Sequence, residues 1–428
     1  MGLKIILGLI FFALLFFGEI TMTFSFKHGS NRNLPSSEFT PLSHKISNGL
    51  SDNESTRNID SIINEFITSK EIKGASVAIV KGGKLLYAKG FGHADEEEHL
   101  ITEPKNLFRI ASVSKLITAV AIMKLYEEGR LNLEDRVFGT KGILNDTMFL
   151  HYNDKRVENI TIRQLLSHTG GWNSRKSDPI FNSLYIARKM GVPPPATLDH
   201  ILSYQLREKL TFTPGSTYNY SNFGYAVLGK VIEKVTGMDY EGYIQFAILH
   251  PLGIYDMHIG SSFYDDKLPH EVKYYELENT PDCYAYDGSG ELVPVPYGGN
   301  NIELLGAAGG WIASAPELLK LIISIDGFES KADILSERTI NMMTQTEKVR
   351  GNTLGWRGTD GYGTWWRTGT LAGTSALVMR HKNDISWVVL LNTTTKNKSK
   401  IHNEISRTMF KALRSVENWP ETDLFAHN

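Results

Sequence analysis

The sequence predicts an α/β (α+β) chain: one mostly antiparallel sheet built from both termini, flanked by helices, with the middle of the chain inserted as a mainly helical lobe. Three observations predict it. Residues 75–80 and 85–88 are apolar runs around Gly82-Gly83, a hairpin pattern. Residues 362–367, 374–380 and 385–391 form three more strand-like runs near the other end. Between these groups the apolar spacing is helical. Strands at both ends with helices between are most economically joined in one sheet, with the middle as a lobe. A site is then expected between sheet and lobe, where polar groups of both converge.

The chain has 428 residues, 41% apolar and 21% charged, the proportions of a soluble globular protein. Its 45 basic and 47 acidic residues give a net charge of −2, and no like-charge block marks a nucleic-acid surface. The acidic run 95–98 reads as a solvated turn. The single cysteine, Cys283, excludes an internal disulfide and a cysteine-rich metal site. Lys4 followed by an apolar run over 5–17 reads as a secretory signal over residues 1–24. No clear small-x-small cleavage site follows, so an uncleaved anchor, attaching the chain to a membrane, is the alternative. In both cases the chain is expected to be exported, to the cell envelope (periplasm) or as a secreted protein.

Residues 25–56 are rich in Ser, Asn, Pro and His and read as a linker. The folded domain is expected over 57–415, with 416–428 as a tail. Residues 58–69 place Ile59, Ile62, Ile63, Phe66 and Ile67 on one helical face. After the hairpin, 112–128 reads as a helix burying one face through Leu116, Ile117, Val120, Ala121, Met123 and Leu125, with Gly129 as its stop. Residues 161–168 form a short helix ended by Thr169-Gly170-Gly171. Helices are expected over 199–208, 223–235 and 240–250. Residues 255–300 are polar and aperiodic, more a wall or lid than core. Residues 307–311 read as a tight turn before a helix over 317–325, and 400–414 as a final amphipathic helix.

Ser112 and Lys115 are three residues apart, on one face of the helix start. The helix dipole and free N–H groups there favour negative charge, and a desolvated lysine can act as a base, so Ser112 is a candidate nucleophile. Any Ser and Lys at this spacing fit the pattern, so the pair needs partners elsewhere. Tyr220, in a loop before a helix, can serve as general base beside a cation, and the amide of Asn222 can hold both Lys115 and a substrate carbonyl. Arg367, Thr368, Gly369 and Thr370 lie on a predicted strand. A glycine there lets a substrate backbone approach, and one strand N–H can complete an oxyanion hole with that of Ser112. Each of these has a plain structural alternative: an aromatic turn for Tyr220, an edge strand with a surface arginine for Arg367. His168 is a candidate base, though a histidine at a helix end more often caps backbone groups.

The order of these motifs resembles the serine β-lactamase and penicillin-binding superfamily, which shares S-x-x-K. The similarity is greatest to the class C β-lactamase-like branch with its D-stereospecific peptidases and esterases. Residues 108–112 (Phe-Arg-Ile-Ala-Ser), 161–171 (Thr-Ile-Arg-Gln-Leu-Leu-Ser-His-Thr-Gly-Gly), Pro214-Gly215 and Tyr220-Ser221-Asn222-Phe223-Gly224-Tyr225 carry it, over about 57–415. The resemblance implies the β-lactamase/transpeptidase-like fold and a serine hydrolase acting on a D-amino-acid peptide, ester or β-lactam. Ser112 would be acylated, Lys115 and Tyr220 would share its proton, and Asn222 would orient Lys115 and substrate. The N–H groups of Ser112 and Thr370 would form the oxyanion hole, with no metal or cofactor. The family's third motif begins with Lys or His. Arg367 stands there, and a proton shuttle at that position is excluded. It leaves two roles for Arg367: binding a substrate carboxylate, or favouring a Tyr220 phenolate. The partner is then a small molecule or peptide bearing a carboxylate. The alternative function is a non-catalytic binding or scaffolding protein that kept the fold. Sequons stand at Asn53, Asn145, Asn159, Asn219, Asn392 and Asn397. A glycan at Asn219 would block Tyr220, which favours a bacterial envelope.

Overall fold

The computed structural model describes residues 40–174, 178–346 and 353–426. The expected signal or anchor, and the first part of the expected linker, lie outside the described residues.

In chain order the helices are α1 (Leu42–Lys45), α2 (Arg57–Ser69), α3 (Ser114–Glu127), α4 (Ile162–Leu166), α5 (Ser183–Met190), α6 (Leu198–Arg207), α7 (Asn222–Thr236), α8 (Tyr240–Ile244), α9 (Ile302–Gly309), α10 (Ala315–Ile322), α11 (Glu337–Thr344) and α12 (Ile401–Arg414). The strands are β1 (Gly74–Lys81), β2 (Lys84–Asp95), β3 (Leu100–Ile101), β4 (Phe108–Arg109), β5 (His258–Ile259), β6 (Cys283–Tyr284), β7 (Leu292–Val293), β8 (Trp311–Ala313), β9 (Gly358–Thr359), β10 (Trp365–Leu371), β11 (Thr374–His381) and β12 (Ile385–Leu391). Seven of these strands form the main sheet, in the order β3-β2-β1-β12-β11-β10-β9. Every pairing in it is antiparallel. The N-terminal hairpin thus meets the C-terminal strands at β1–β12, where Lys81 pairs with Ile385 and Ala75 with Leu391.

Alternation along the strands divides the apolar side chains between two cores. Val77, Ile79, Trp387 and Val389 face α2 and α12, meeting Ile59, Ile63, Ile405 and Met409. Ala78, Val80, Val388 and Leu390 face the other way, into the larger core with α3, α7 and α10. The helices of the middle segment close that second face.

Five expectations need correcting. The described part of the linker, 40–56, is packed. Leu42, Ile46 and Ser51 are buried. Ser51 Oγ donates to the Ala88 carbonyl and accepts the Ala88 N–H, both at 2.9 Å, and Asn48 accepts from Gly90 N–H at 2.7 Å. Polar side chains here cap the outer edge of β2, so the segment folds without apolar periodicity. The tail does the same: Asp423 accepts from Leu85 N–H at 3.0 Å, and Leu424 is buried. Helix α3 is buried nearly all round, not on one face, because it runs through the middle of the lobe. Residues 307–311 are not a turn but the end of α9 and the start of β8. The strand expected from 362 starts at Trp365, after turns built on Asp360.

Trp387 is wholly buried between the sheet, α2 and α12. Trp387→Ala is expected to cost about 3–5 kcal/mol of unfolding free energy, read from the urea midpoint at unchanged slope.

Candidate active site

Ser112 lies in a single 3-10 turn, Ala111–Val113, which feeds directly into α3. Its neighbour Ala111 has φ +48°, a left-handed conformation that is unfavourable for alanine and is held by its surroundings. Ser114 Oγ donates to the Ala111 carbonyl at 2.6 Å and accepts from Trp311 N–H at 3.2 Å. The Ile110 N–H donates to the Trp311 carbonyl at 3.0 Å. The turn is thus pinned between α3 and β8, with Ser112 half-buried at its apex.

Lys115 is wholly buried one helical turn on. Its Nζ donates to Ser112 Oγ at 3.2 Å, to Asn222 Oδ1 at 2.6 Å and to the Ala308 carbonyl. Burial lowers its pKa below the ordinary lysine range, and Arg367 adds to this against the pull of Tyr220. Tyr220 OH donates to Ser112 Oγ at 2.7 Å. Its ring lies 4.9 Å below the Lys115 ammonium. Burial alone would raise the phenol, but the charges of Lys115 and Arg367 outweigh it and bring it down to about 8. The serine hydroxyl therefore touches two groups that can each take its proton.

The Tyr220 loop is held from below. Ser221 is the N-cap of α7, its Oγ accepting from Gly224 N–H at 2.9 Å. His168 Nδ1 accepts from Ser221 N–H at 3.2 Å, and its ring packs 4.5 Å from that of Tyr220. Burial keeps this imidazole well below its ordinary pKa, so it stays neutral with its proton on Nε2. His168 thus spends Nδ1 on the Ser221 N–H and its ring face on Tyr220, which places it under the loop as a support. Asp178 accepts from Asn222 N–H at 3.0 Å, and burial raises its pKa. Nothing in the local sequence points to Asp178, which enters the site only through the folding of the lobe.

Arg367 is 1% exposed. Its Nε donates to the Ser112 carbonyl at 2.8 Å, Nη1 to the Trp356 carbonyl at 3.4 Å and Nη2 to Tyr220 OH at 3.4 Å. The guanidinium is spent on the protein, so the bidentate carboxylate contact expected of it is corrected to its alternative, lowering the Tyr220 pKa. Thr368 is also repositioned. Strand alternation sends its side chain to the face opposite Arg367 and Gly369, away from Ser112. Arg357, absent from the sequence expectations, is exposed near Tyr220. Its Nη1 donates to Tyr218 OH at 2.8 Å, and its guanidinium lies 5.8 Å from the Tyr220 ring.

Gly369 is the point of contact between the strand and the Ser112 turn. A Cβ there would lie 2.2 Å from the Ile110 carbonyl oxygen and 3.0 Å from Ser112 N. The β10–β11 hairpin closes with Leu371 opposite Thr374. Residues alternate between bonded and non-bonded pairs, so Thr370 falls in a non-bonded pair and its N–H points away from β11. On the other side, among the described residues, β9 covers only Trp365 and Trp366. The Thr370 N–H thus lies outside the β11 ladder, on the strand that packs against Ser112 at Gly369. Among the described residues no group of three or more His, Cys, Asp or Glu is placed to hold a metal.

A family model described as Beta-lactamase matches residues 59–407. Protein flp of Staphylococcus aureus (strain MRSA252) is 34% identical over 228 residues, 53% of this chain and 42% of that protein. The chain spans less than half the length of the curated relatives it matches. The octameric penicillin-binding protein homologue from Pyrococcus abyssi is 27% identical, with a TM-score of 0.61 over 83% of this chain and 77% of the other. The D-amino acid amidase from Ochrobactrum anthropi SV3 has the same fold, with a TM-score of 0.66 at 19% identity, over 86% of this chain and 99% of the other.

Gly369→Ala drives a methyl group into backbone that cannot move aside. It is expected to destabilise the protein by about 1–3 kcal/mol, measured by thermal unfolding.

Proposed function

The chain belongs to the Beta-lactamase family, and on that premise we propose that it is a serine hydrolase cleaving an amide or ester carbonyl through an acyl-enzyme on Ser112. The observation that carries this reading is the convergence of Tyr220 OH, at 2.7 Å, and Lys115 Nζ, at 3.2 Å, on one half-buried serine hydroxyl. Tyr220 as phenolate takes the Ser112 proton while Oγ bonds to the substrate carbonyl carbon. The carbonyl oxygen, now an oxyanion, is received by the N–H groups of Ser112 and Thr370. The proton held by the Tyr220–Lys115 pair passes to the leaving amine or alcohol as its bond to carbon breaks. Water then cleaves the acyl-serine ester and restores the hydroxyl, with the same pair taking the proton of water.

The substrate class follows less directly: a D-amino-acid peptide, an ester or a β-lactam all present the required carbonyl. An exposed cation beside Tyr220, Arg357, supplies the carboxylate contact that the buried Arg367 cannot. A non-catalytic role is disfavoured because Lys115 and Tyr220 both remain within reach of Ser112. The reading keeps residues 1–24 as an export segment and the envelope as the site of action.

Incubation with a fluorescent penicillin or fluorophosphonate, followed by peptide mass mapping, is expected to mark Ser112 in the wild type and nothing in Ser112→Ala. Equal marking of both proteins would remove Ser112 as nucleophile. The acylation rate is expected to rise with pH through the Tyr220 titration near 8, since only the phenolate accepts the proton. Arg367→Gln removes a cation that stabilises the phenolate, so the rising limb is expected to move up by about 1 pH unit. An unshifted profile would separate Arg367 from the titrating group.

A further inference from the structure

The peptide group that links Gly369 to Thr370 has two ends. Its N–H, on Thr370, faces the site; its C=O, on Gly369, points the other way. On that side β11 pairs Ala376 with Gly369, and α12, packed over the sheet, brings its second residue, His402, to the same oxygen. His402 Nε2 lies 3.1 Å from the Gly369 carbonyl oxygen and 3.4 Å from Thr370 Oγ1. A carbonyl oxygen only accepts, so Nε2 carries the imidazole proton and donates it. Burial holds this imidazole below its ordinary pKa although the backbone of Gly369 and Ala376 pulls it up. The neutral ring, with a single N–H, therefore meets the carbonyl at neutral pH.

Two physical consequences follow from a donor on the C=O side of a peptide. It fixes the rotation of the peptide plane, and hence the direction of its N–H. It also polarises the amide, because a bond accepted at oxygen strengthens the bond donated at nitrogen. In the register Gly369 and Ala376 form a bonded pair, so the carbonyl already accepts from β11, and His402 adds a second donor that fixes the same oxygen from the helix side. Gly369 has no side chain to anchor it, and among the described residues β9 pairs with β10 at Trp365 and Trp366 alone. Between β11 on one side and the substrate space on the other, His402 holds the peptide from behind the sheet.

Building on the serine-hydrolase reading, we propose that His402 is a positioning residue of the oxyanion hole, donating from Nε2 to the Gly369 carbonyl so that the Thr370 N–H is aimed and strengthened toward the reacting oxygen. It touches neither substrate nor Ser112. Its contribution is made mainly in the transition state, where the oxygen carries charge, and less in the bound substrate.

The test compares His402→Leu, which removes the donor, with His402→Gln, whose amide places an N–H where Nε2 stood. The rate of Ser112 phosphonylation by a fluorophosphonate is read alongside kcat and KM for a chromogenic ester and the thermal midpoint. Losing a whole oxyanion donor costs about 100- to 1000-fold, so weakening one through its carbonyl is expected to slow H402L by roughly 3- to 10-fold. The loss is expected in kcat and in labelling, with KM unchanged, and H402Q is expected to recover most of it. Labelling of H402L at the wild-type rate would overturn the proposal. So would equal slowing of H402L and H402Q in step with a fall in thermal midpoint, the mark of a purely structural contact. A wild type that resists labelling altogether would instead overturn the Ser112 reading, and this inference with it.

Discussion

A lysine ammonium taken wholly out of water is the constraint around which the lobe is assembled. Removing such an ion from solvent costs several kcal/mol unless its protons all find acceptors. Lys115 finds them in three places: Ser112 on its own helix, Asn222 at the start of α7, and the Ala308 carbonyl near the end of α9. The last is available because Gly306, at φ +26° and ψ −106°, breaks the helical path of α9. The carbonyls at that end turn toward α3, where Ala307 accepts from Thr118 Oγ1 at 2.7 Å and Ala308 from Lys115. Unused helix-end carbonyls thus satisfy a buried cation. Three helices far apart in sequence meet at one charged atom.

The same burial sets the electrostatics. Tyr220 and Lys115 are each pushed toward neutrality by desolvation, and Arg367 acts on both in opposite senses: it favours the phenolate and disfavours the ammonium. A second cation that never releases its proton biases the pair toward a single shared proton. Its anchorage on the Ser112 and Trp356 carbonyls keeps it at a fixed distance from the pair. An arginine in place of a lysine or histidine is therefore a change in how the local field is built, with the serine geometry kept.

Much of this was legible in the sequence, for reasons that differ by element. The β1–β2 hairpin and α2 have strong period and clear turn glycines. The final helix, expected over 400–414, forms at Ile401–Arg414 because its apolar face is regular. Ser112, Lys115, Tyr220 and Asn222 were legible as short motifs, and the structure brings all four together. The unread parts owe their order to partners distant in the chain. Segment 40–56 folds by side-chain hydrogen bonds to the edge of β2, which leave no apolar period. Asp178 and His402 act on backbone groups of Asn222 and Gly369, contacts that exist only after the lobe and α12 have docked. The burial of Arg367 had no local signal either, since an arginine on a strand near the end of a sheet ordinarily faces water.

The seam between β1 and β12 joins segments about 300 residues apart in the chain, a separation that places the fold among those with high contact order. During synthesis the hairpin emerges early and must wait with one long apolar edge unpaired. The turn carrying Ser112 is made before β10 and β11, so Ser112 has no β10 strand beside it until nearly the whole domain has left the ribosome. The surroundings of Ser112 are therefore completed last, together with the closing of the sheet. A nascent or partly unfolded chain lacks the assembled Ser112 cluster and presents an apolar edge that needs shielding from aggregation.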